Sequence, residues 1–150
     1  QHGIDKEKYP HRGKIIEKLF SILVEPNLIQ PTFVTEYPVE ISPLARFKRG
    51  DKSKQYVERF ELFISGLEFA NSFSELNDPF EQKHRLLNQH SMLQKGDTEA
   101  QVFDNEFIEV LEAGMPPTGG VGIGVDRMVM LFTEQDSIKD VIFFPSMRDE

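Results

Sequence analysis

The pattern of apolar and polar positions predicts a mixture of helices and strands. Within residues 13–25 the apolar positions recur at helical spacing, and Pro26 ends this helix. Residues 31–41 are rich in Thr, Val and Phe and have a proline near each end, which predicts a strand interrupted by proline. Residues 58–78 form two largely apolar runs around Ser65 and Gly66, which predicts a β-hairpin with these two residues as its turn.

Two helices are expected after the hairpin. Asp78 is a candidate N-cap, Pro79 a candidate first helical residue and Glu81 the reciprocal capping partner, in a helix that runs to about Gln94. A shorter helix is expected over residues 104–113. Its inward apolar positions are expected to be Phe107, Ile108, Val110 and Leu111.

The last third of the chain predicts a glycine-rich strand over residues 119–125, a helix that starts at Asp126, and a short strand over 141–144 closed by Pro145. This order of elements is more typical of strands joined by hairpins than of alternating βαβ units. The expected fold class is therefore α+β, with a mostly antiparallel sheet flanked by helices on one side.

Composition narrows the class of protein. A chain of 150 residues suits one domain, and 39% hydrophobic residues are enough for a core. Cysteine is absent, which excludes disulfides and thiolate metal sites. No apolar run approaches the ~20 residues of a membrane span, so we expect a soluble chain without membrane association. The absence of cysteine fits an intracellular setting, and we expect a cytoplasmic location. The net charge of −8 argues against strong non-specific binding of nucleic acid by this chain alone.

Two glutamates in the hairpin are candidates for a metal site. With a two-residue turn, Phe63 faces Glu68 and Glu61 faces Ala70, so both glutamates project from one side of the ribbon. Mg²⁺ binds one or two carboxylates together with phosphate oxygens. The alternative is a pair of glutamates on a solvated face, each paired with Lys or Arg, and spacing alone favours that alternative.

Further polar residues on the second strand predict an irregularity. Asn71, Phe73 and Glu75 alternate and share one face, but simple alternation places that face opposite Glu68. An extra residue between them would bring all of them to one side. We therefore predict a β-bulge near Phe69 and Ala70.

The glycine-rich segment and the arginine after it suggest a nucleotide site. Residues 119–127 read GGVGIGVDR, in which alternate glycines leave one strand face bare for a flat ligand or for a closely packed backbone. Arg127 lies in the first turn of the predicted helix, where the helix dipole disfavours a cation. An anion or an aromatic ring would explain the position, and a nucleotide offers both. The alternative partner is an internal carboxylate, with Asp126 as the helix cap.

Three segments carry a resemblance to a known family. Residues 63–78, 122–127 (GIGVDR) and 138–145 (IKDVIFFP) resemble the C-terminal part of a class II lysyl-tRNA synthetase catalytic domain. The likeness extends from Ile15 to Met147. The segment GIGVDR is similar to the third signature of class II synthetases, whereas the run from Glu68 to Asp78 is far more specific to lysine.

The resemblance implies roles for the candidate residues. The positions that match Glu61 and Glu68 hold Mg²⁺ that bridges ATP phosphates. The lysine pocket matches three residues, of which the glutamate pairs with the ε-ammonium: Asn71, Phe73 and Glu75. Three further positions match the nucleotide site of the family: Gly122, Gly124 and Arg127. The resemblance also implies a catalytic role for Arg127.

The resemblance also implies a reaction and partners. A parent enzyme would form lysyl-adenylate from lysine and ATP and would transfer the lysyl group to tRNA(Lys), as a homodimer. The first two class II signatures and the anticodon-binding domain are absent from residues 1–150. We therefore expect these residues to be the C-terminal portion of the catalytic domain, with little or no activity alone.

Three alternatives remain at this point. One is a lysyl ligase paralogue that modifies elongation factor P. Another is an aspartyl- or asparaginyl-tRNA synthetase, although Glu75 opposes the cationic pocket that it needs. A third is a non-catalytic synthetase-like module that serves as a scaffold or regulator.

Overall fold

A single antiparallel sheet organises the part of the chain that the computed structural model describes, residues 11–94, 96–97 and 100–146. The sheet order is β1–β2–β3–β4, with β1 at Thr32–Thr35, β2 at Arg59–Ile64, β3 at Leu67–Ser74 and β4 at Gly119–Ile123. The helices are α1 at Arg12–Leu23, α2 at Pro79–Gln94, α3 at Asn105–Ala113 and α4 at Val125–Phe132. Short 3₁₀ turns lie at Glu25–Asn27, Val39–Ile41 and Ile138–Asp140. The predicted α+β class is confirmed.

The β2–β3 hairpin turns at Ser65 and Gly66, as predicted. Both residues have positive φ angles, 53° and 73°, which are typical of the two-residue turn that matches the twist of paired strands. The amide of Ser65 donates to the carbonyl of Ile29, and that of Gly66 donates to the carbonyl of Leu28. These two bonds attach the tip of the hairpin to the segment that follows α1.

The predicted β-bulge is present in β3. Phe63 pairs with Glu68, whereas the preceding residue Leu62 pairs with Ala70. Phe69 therefore has no partner on β2, and the alternation of faces shifts by one residue.

The bulge also corrects one predicted pair. Glu61 lies opposite Asn71 and not Ala70, because the extra residue moves every later pair along by one. The predicted pairing of Glu61 assumed a regular ladder from the turn and was wrong. The consequence is that Glu61 and Asn71 face each other directly.

Asp78 is confirmed as the N-cap of α2, but Glu81 does not form the predicted reciprocal bond to the Asp78 amide. The Asp78 carboxylate accepts hydrogen bonds from the amides of Phe80 and Glu81. The Glu81 carboxylate instead accepts from Nε of Arg85 at 2.8 Å, one turn along the helix. A buried arginine attracts this carboxylate more strongly than a backbone amide does.

Helix α3 buries fewer of its apolar residues than predicted. Ile108 and Leu111 are buried against Leu86 of α2. Phe107 and Val110 were expected to face inward but are exposed, Val110 by 68%. A helix that packs against one neighbour buries a single stripe, and residues one position away point about 100° to the side.

Two predictions near the end of the chain were wrong. Helix α4 begins at Val125 with Gly124 as its N-cap, so Asp126 is the second helical residue and caps nothing. Residues 141–144 form no strand; they follow a 3₁₀ turn as bends, with Phe143 exposed. An apolar run forms a strand only where a partner strand pairs with it, and none does so here within the described residues.

Candidate active site

The bulge brings the polar residues of the hairpin to one face of the sheet. Directly opposed residues share a face, and so do alternate residues of a strand. These rules and the observed pairs define a set that we call the acidic face: Arg59, Glu61, Phe63, Glu68, Asn71 and Phe73. On the neighbouring strand, Gly122 lies opposite Asn71 and Gly120 opposite Phe73, so β4 contributes no side chain there.

Glu61 is buried and held by two partners from within the chain. The Tyr37 hydroxyl donates to its Oε2 at 2.6 Å, and the Arg59 guanidinium pairs with its Oε1. Burial raises the pKa of the Tyr37 phenol, and the bond to the Glu61 carboxylate raises it further. The sequence alternative of a glutamate paired with an arginine is therefore true of Glu61.

Glu68 differs from Glu61 because no hydrogen bond or close ion pair holds its carboxylate within the described residues. Partial burial raises the pKa of Glu68, and the Glu61 charge raises it further. The charges of Arg127 and Arg59 act in the opposite direction. A further cation near Glu68 would therefore stabilise its ionised form.

A cavity of about 690 Å³ opens beside these two glutamates. Glu61, Glu68 and Asn71 line it on the sheet side, and residues of α1 line the other wall. The Phe20 ring of α1 meets the Phe63 ring edge to face, with 5.5 Å between centroids. This volume lies in the range of small-molecule sites, about 300–1,000 Å³.

Glu75 lies farther along the same face, outside the lining of that cavity. A Cβ atom on Gly120 would stand 2.7 Å from Oε1 of Glu75, so the carboxyl group occupies the space that the glycine leaves. Partial burial raises the pKa of Glu75, with no opposing contribution from a cation. No residue of the described part of the chain forms an ion pair with it.

Arg127 lies in the first turn of α4, as predicted. Its guanidinium donates to the backbone carbonyl of Glu68, so the predicted internal carboxylate is not its hydrogen-bond partner. Its side chain passes Gly124, where an added Cβ would be 3.6 Å from Cδ of Arg127. Above Gly122 the nearest atom to an added Cβ is the Asn71 carbonyl oxygen at 3.9 Å, so that position is open.

The structure thus gathers Glu61, Glu68 and Asn71 at one cavity, with Arg127 beside Glu68 and with Glu75 over the glycine strand. No cluster of three or more His, Asp or Glu residues suited to a metal occurs among the described residues. The described helices are all too short or too polar to cross a membrane.

Sequence reasoning missed three residues at this site. Arg59 shares a face with Glu61 two positions later, so strand alternation was a signal for it. Gly120 shares a face with Gly122 in the same way. Tyr37 arrives from a separate loop, and no local pattern connects it to Glu61.

Comparison with known proteins gives the relatives of this chain. Residues 3–148 match the family described as tRNA synthetases class II (D, K and N). The chain is similar to the lysine–tRNA ligase of Moorella thermoacetica, with 53% identity over 146 residues that make up 97% of this chain and 29% of the relative. The lysine–tRNA ligase of Helicobacter pylori is 54% identical over 148 residues, 99% of this chain and 29% of the relative. That of Thermoanaerobacter pseudethanolicus is 57% identical over 137 residues, 91% of this chain and 27% of the relative.

The chain therefore spans less than a third of the length of these curated relatives. The family match nonetheless covers nearly all of its residues. The sequence resemblance and the antiparallel sheet with its helices agree with this result. The chain belongs to the class II tRNA synthetases of the D, K and N group.

Proposed function

We propose that this chain is part of the catalytic domain of a lysine–tRNA ligase and supplies its lysine pocket and part of its ATP site. The observation that carries the proposal is the Glu75 carboxyl group, which lies half-buried over Gly120 and has no cation partner among the described residues. A nearby cation stabilises a partly buried carboxylate, and the ε-ammonium of lysine supplies one. The similarity to lysine–tRNA ligases points to the same substrate.

The rest of the amino-acid pocket follows from the acidic face. Asn71 lies between Glu68 and Glu75 along the strand and orients the main-chain end of the bound lysine. Phe73 lies opposite Gly120, so its ring stands beside the bare strand on which the aliphatic stem of lysine rests. Glu75 then pairs with the ammonium at the far end of this stem.

The ATP site uses the two glutamates of the cavity. Glu61 and Glu68 suit Mg²⁺, which binds one or two carboxylates together with phosphate oxygens. Glu68 has no close partner among the described residues, and a cation there would offset the burial and the Glu61 charge that raise its pKa. A bound Mg²⁺ would neutralise phosphate charge during the reaction. Arg127, which donates to the Glu68 carbonyl, contacts the nucleotide in this proposal, and the open position over Gly122 admits the nucleotide. The glycine at position 124 gives the Arg127 side chain room to pass.

The reaction of the parent protein is attack by the lysine carboxylate on the α-phosphorus of ATP. A bond forms between carboxylate oxygen and phosphorus, and the bond to the pyrophosphate oxygen breaks, so the products are lysyl-adenylate and pyrophosphate. The residues of this chain position the reactants and stabilise charge. The lysyl group then passes to tRNA(Lys).

The remaining parts of the proposal concern the parent. The described chain corresponds to the C-terminal portion of the catalytic domain, and alone it has little or no activity. The parent is a cytoplasmic homodimer. An arginine from the missing second signature would complete the contacts to the α-phosphate.

The direct test is amino-acid-dependent exchange between ATP and labelled pyrophosphate in the full-length parent. Lysine should support exchange, whereas aspartate and asparagine should not, and the isolated chain should show none. Addition of tRNA(Lys) or elongation factor P in separate reactions then identifies the acceptor. Exchange driven by aspartate or asparagine, or none with any amino acid, would refute the proposal.

A further inference from the structure

Arg59 is an internal cation that contacts both halves of the acidic face. One terminal nitrogen of its guanidinium pairs with Oε1 of Glu61. Its Nε donates to Oδ1 of Asn71 at 3.2 Å. A single rigid group therefore connects the residue proposed for the metal with the residue proposed for the amino acid.

The bond to Asn71 determines which end of that amide is available. Because Oδ1 accepts from Arg59, the amide nitrogen with its two donors points elsewhere and is available to an acceptor on a ligand. Rotation of the amide by half a turn would place its nitrogen against the guanidinium and lose the bond. Arg59 therefore fixes Asn71 as a hydrogen-bond donor, the role that a substrate carboxylate or carbonyl requires.

The bond to Glu61 fixes the plane of its carboxylate. Arg59 binds Oε1 and the Tyr37 hydroxyl binds Oε2, so neither oxygen is free to rotate away. Each carboxylate oxygen has two lone pairs, and one on each remains for a cation. Glu61 is thus held at a fixed position in advance, in contrast to Glu68.

Arg59 is itself held from outside the hairpin. Its other terminal nitrogen donates to the carbonyl of Ile41 at 3.0 Å and to Oγ of Ser42 at 2.9 Å. Its guanidinium also lies 4.6 Å from the centre of the Tyr37 ring. These contacts set the guanidinium plane independently of the two residues that it orients.

We propose that Arg59 is a positioning residue that orients Glu61 for the metal and Asn71 for the amino acid at the same time. The inference rests on the proposed function, because it assigns a task at the same site. It predicts that one substitution changes two separate constants, the Mg²⁺ half-saturation and the KM for lysine. A merely structural arginine would change stability and the fraction of active protein, but neither constant.

The test is Arg59→Met in the full-length parent, with pyrophosphate exchange measured against Mg²⁺ and against lysine. Loss of groups that orient ligands costs about 10–100-fold in affinity or activity, so both constants should rise by about that factor. Arg59→Lys should recover part of the effect on one constant but not on both, because an ammonium lacks the planar fork that reaches two acceptors. The matched control is Arg49→Met, which removes an exposed arginine that pairs with Glu58.

A second variant guards against misfolding of Arg59→Met. In an Asn71→Ala background, Arg59→Lys should no longer change the KM for lysine but should still raise the Mg²⁺ half-saturation. Unchanged constants in Arg59→Lys with wild-type Asn71 would overturn the inference. Absence of lysine-dependent exchange in the wild-type parent would instead overturn the proposed function, so the two failures are distinct.

Discussion

The two faces of the sheet contrast in a way that reverses the usual rule for soluble proteins. On the acidic face Glu61 is only 9% exposed. The opposite face, which we call the apolar face, carries Phe33, Phe60, Leu62, Val121 and Ile123. Phe33 is 62% exposed and Val121 63% exposed. The sheet thus buries charge and exposes hydrocarbon, the reverse of what sheet alternation normally produces.

The two faces differ in what surrounds their side chains. Charge on the acidic face is tolerated because Arg59, Tyr37 and the α1 wall surround it. The apolar face has no such cover among the described residues: Phe33, Val121 and Ile123 are exposed, and Phe33 has an edge-to-face contact with the half-buried Phe60. We expect another part of the parent to cover it. The predictions below test the two faces separately.

The largest effect is expected from Glu75→Gln in the parent. The amide keeps the shape of the side chain but loses the charge that we propose faces the lysine ammonium. Bound lysine would complete the burial of this half-buried carboxylate, and removal of one partner of a buried charge pair costs about 2–5 kcal/mol, so the KM for lysine should rise at least about 30-fold. Pyrophosphate exchange measures it, with Glu109→Gln on the exposed side of α3 as the control. Equal lysine dependence in both variants would remove Glu75 from the pocket.

A smaller effect is expected from Gly120→Ala. The new Cβ would stand 2.7 Å from Oε1 of Glu75, a flexible group that can move aside, so stability should change little while Glu75 is displaced. A shift of this kind should raise the KM for lysine about tenfold. Gly119→Ala is the matched control, because its Cβ would meet only the Phe73 carbonyl oxygen at an ordinary 3.8 Å. Similar lysine constants in the two variants would contradict the proposed position of Glu75.

The pH dependence of lysine binding should report the same carboxyl group. Burial raises the pKa of Glu75 above its usual 4.5. In the proposed pocket lysine binds the ionised form of Glu75, so the affinity should be complete above this raised pKa and should fall as the pH drops through it, by at most about tenfold per unit. Titration of the parent by calorimetry measures this profile. Glu75→Gln should remove this component, and a profile that stays the same in the variant would assign it to another group.

The smallest effect on stability is expected from Val121→Lys on the apolar face. In the isolated chain the side chain is already exposed, so the free energy of unfolding should change by less than about 1 kcal/mol. Self-association, measured by sedimentation, should decrease because the charge interrupts an exposed apolar patch. Val110→Lys on α3 is the control, since Val110 is similarly exposed elsewhere. Equal association of the two variants would show that the apolar face does not drive it.

Local rules predicted the hairpin well. The turn at Ser65 and Gly66 follows from turn chemistry, and the bulge follows from the demand that Glu68 and Asn71 share a face. The partner of Glu61 was nevertheless wrong by one residue, since the position of an extra residue decides every pair beyond it. The predictions for Asp126 and for residues 141–144 were wrong for a related reason. Helix caps and strands depend on contacts with other parts of the chain, and the local sequence does not contain these.

The site followed the same division. Glu61, Glu68 and Asn71 lie on one short hairpin, so alternation and the resemblance sufficed to select them. Tyr37 lies in a loop 24 positions before Glu61 and donates to its carboxylate. Arg59 also donates hydrogen bonds to residues 41 and 42. Such contacts depend on tertiary packing, which periodicity does not encode.

The unpaired Phe69 has a consequence for anyone who moves this hairpin into another scaffold. A regular ladder over the same sequence would pair Phe69 with Leu62 and would turn Asn71 over to the apolar face while Glu68 stayed in place, so the two ligand sites would lie on opposite faces. A graft must therefore keep the β-bulge together with the acidic residues. A fully regular hairpin with the same residues would not present Glu68 and Asn71 on one face.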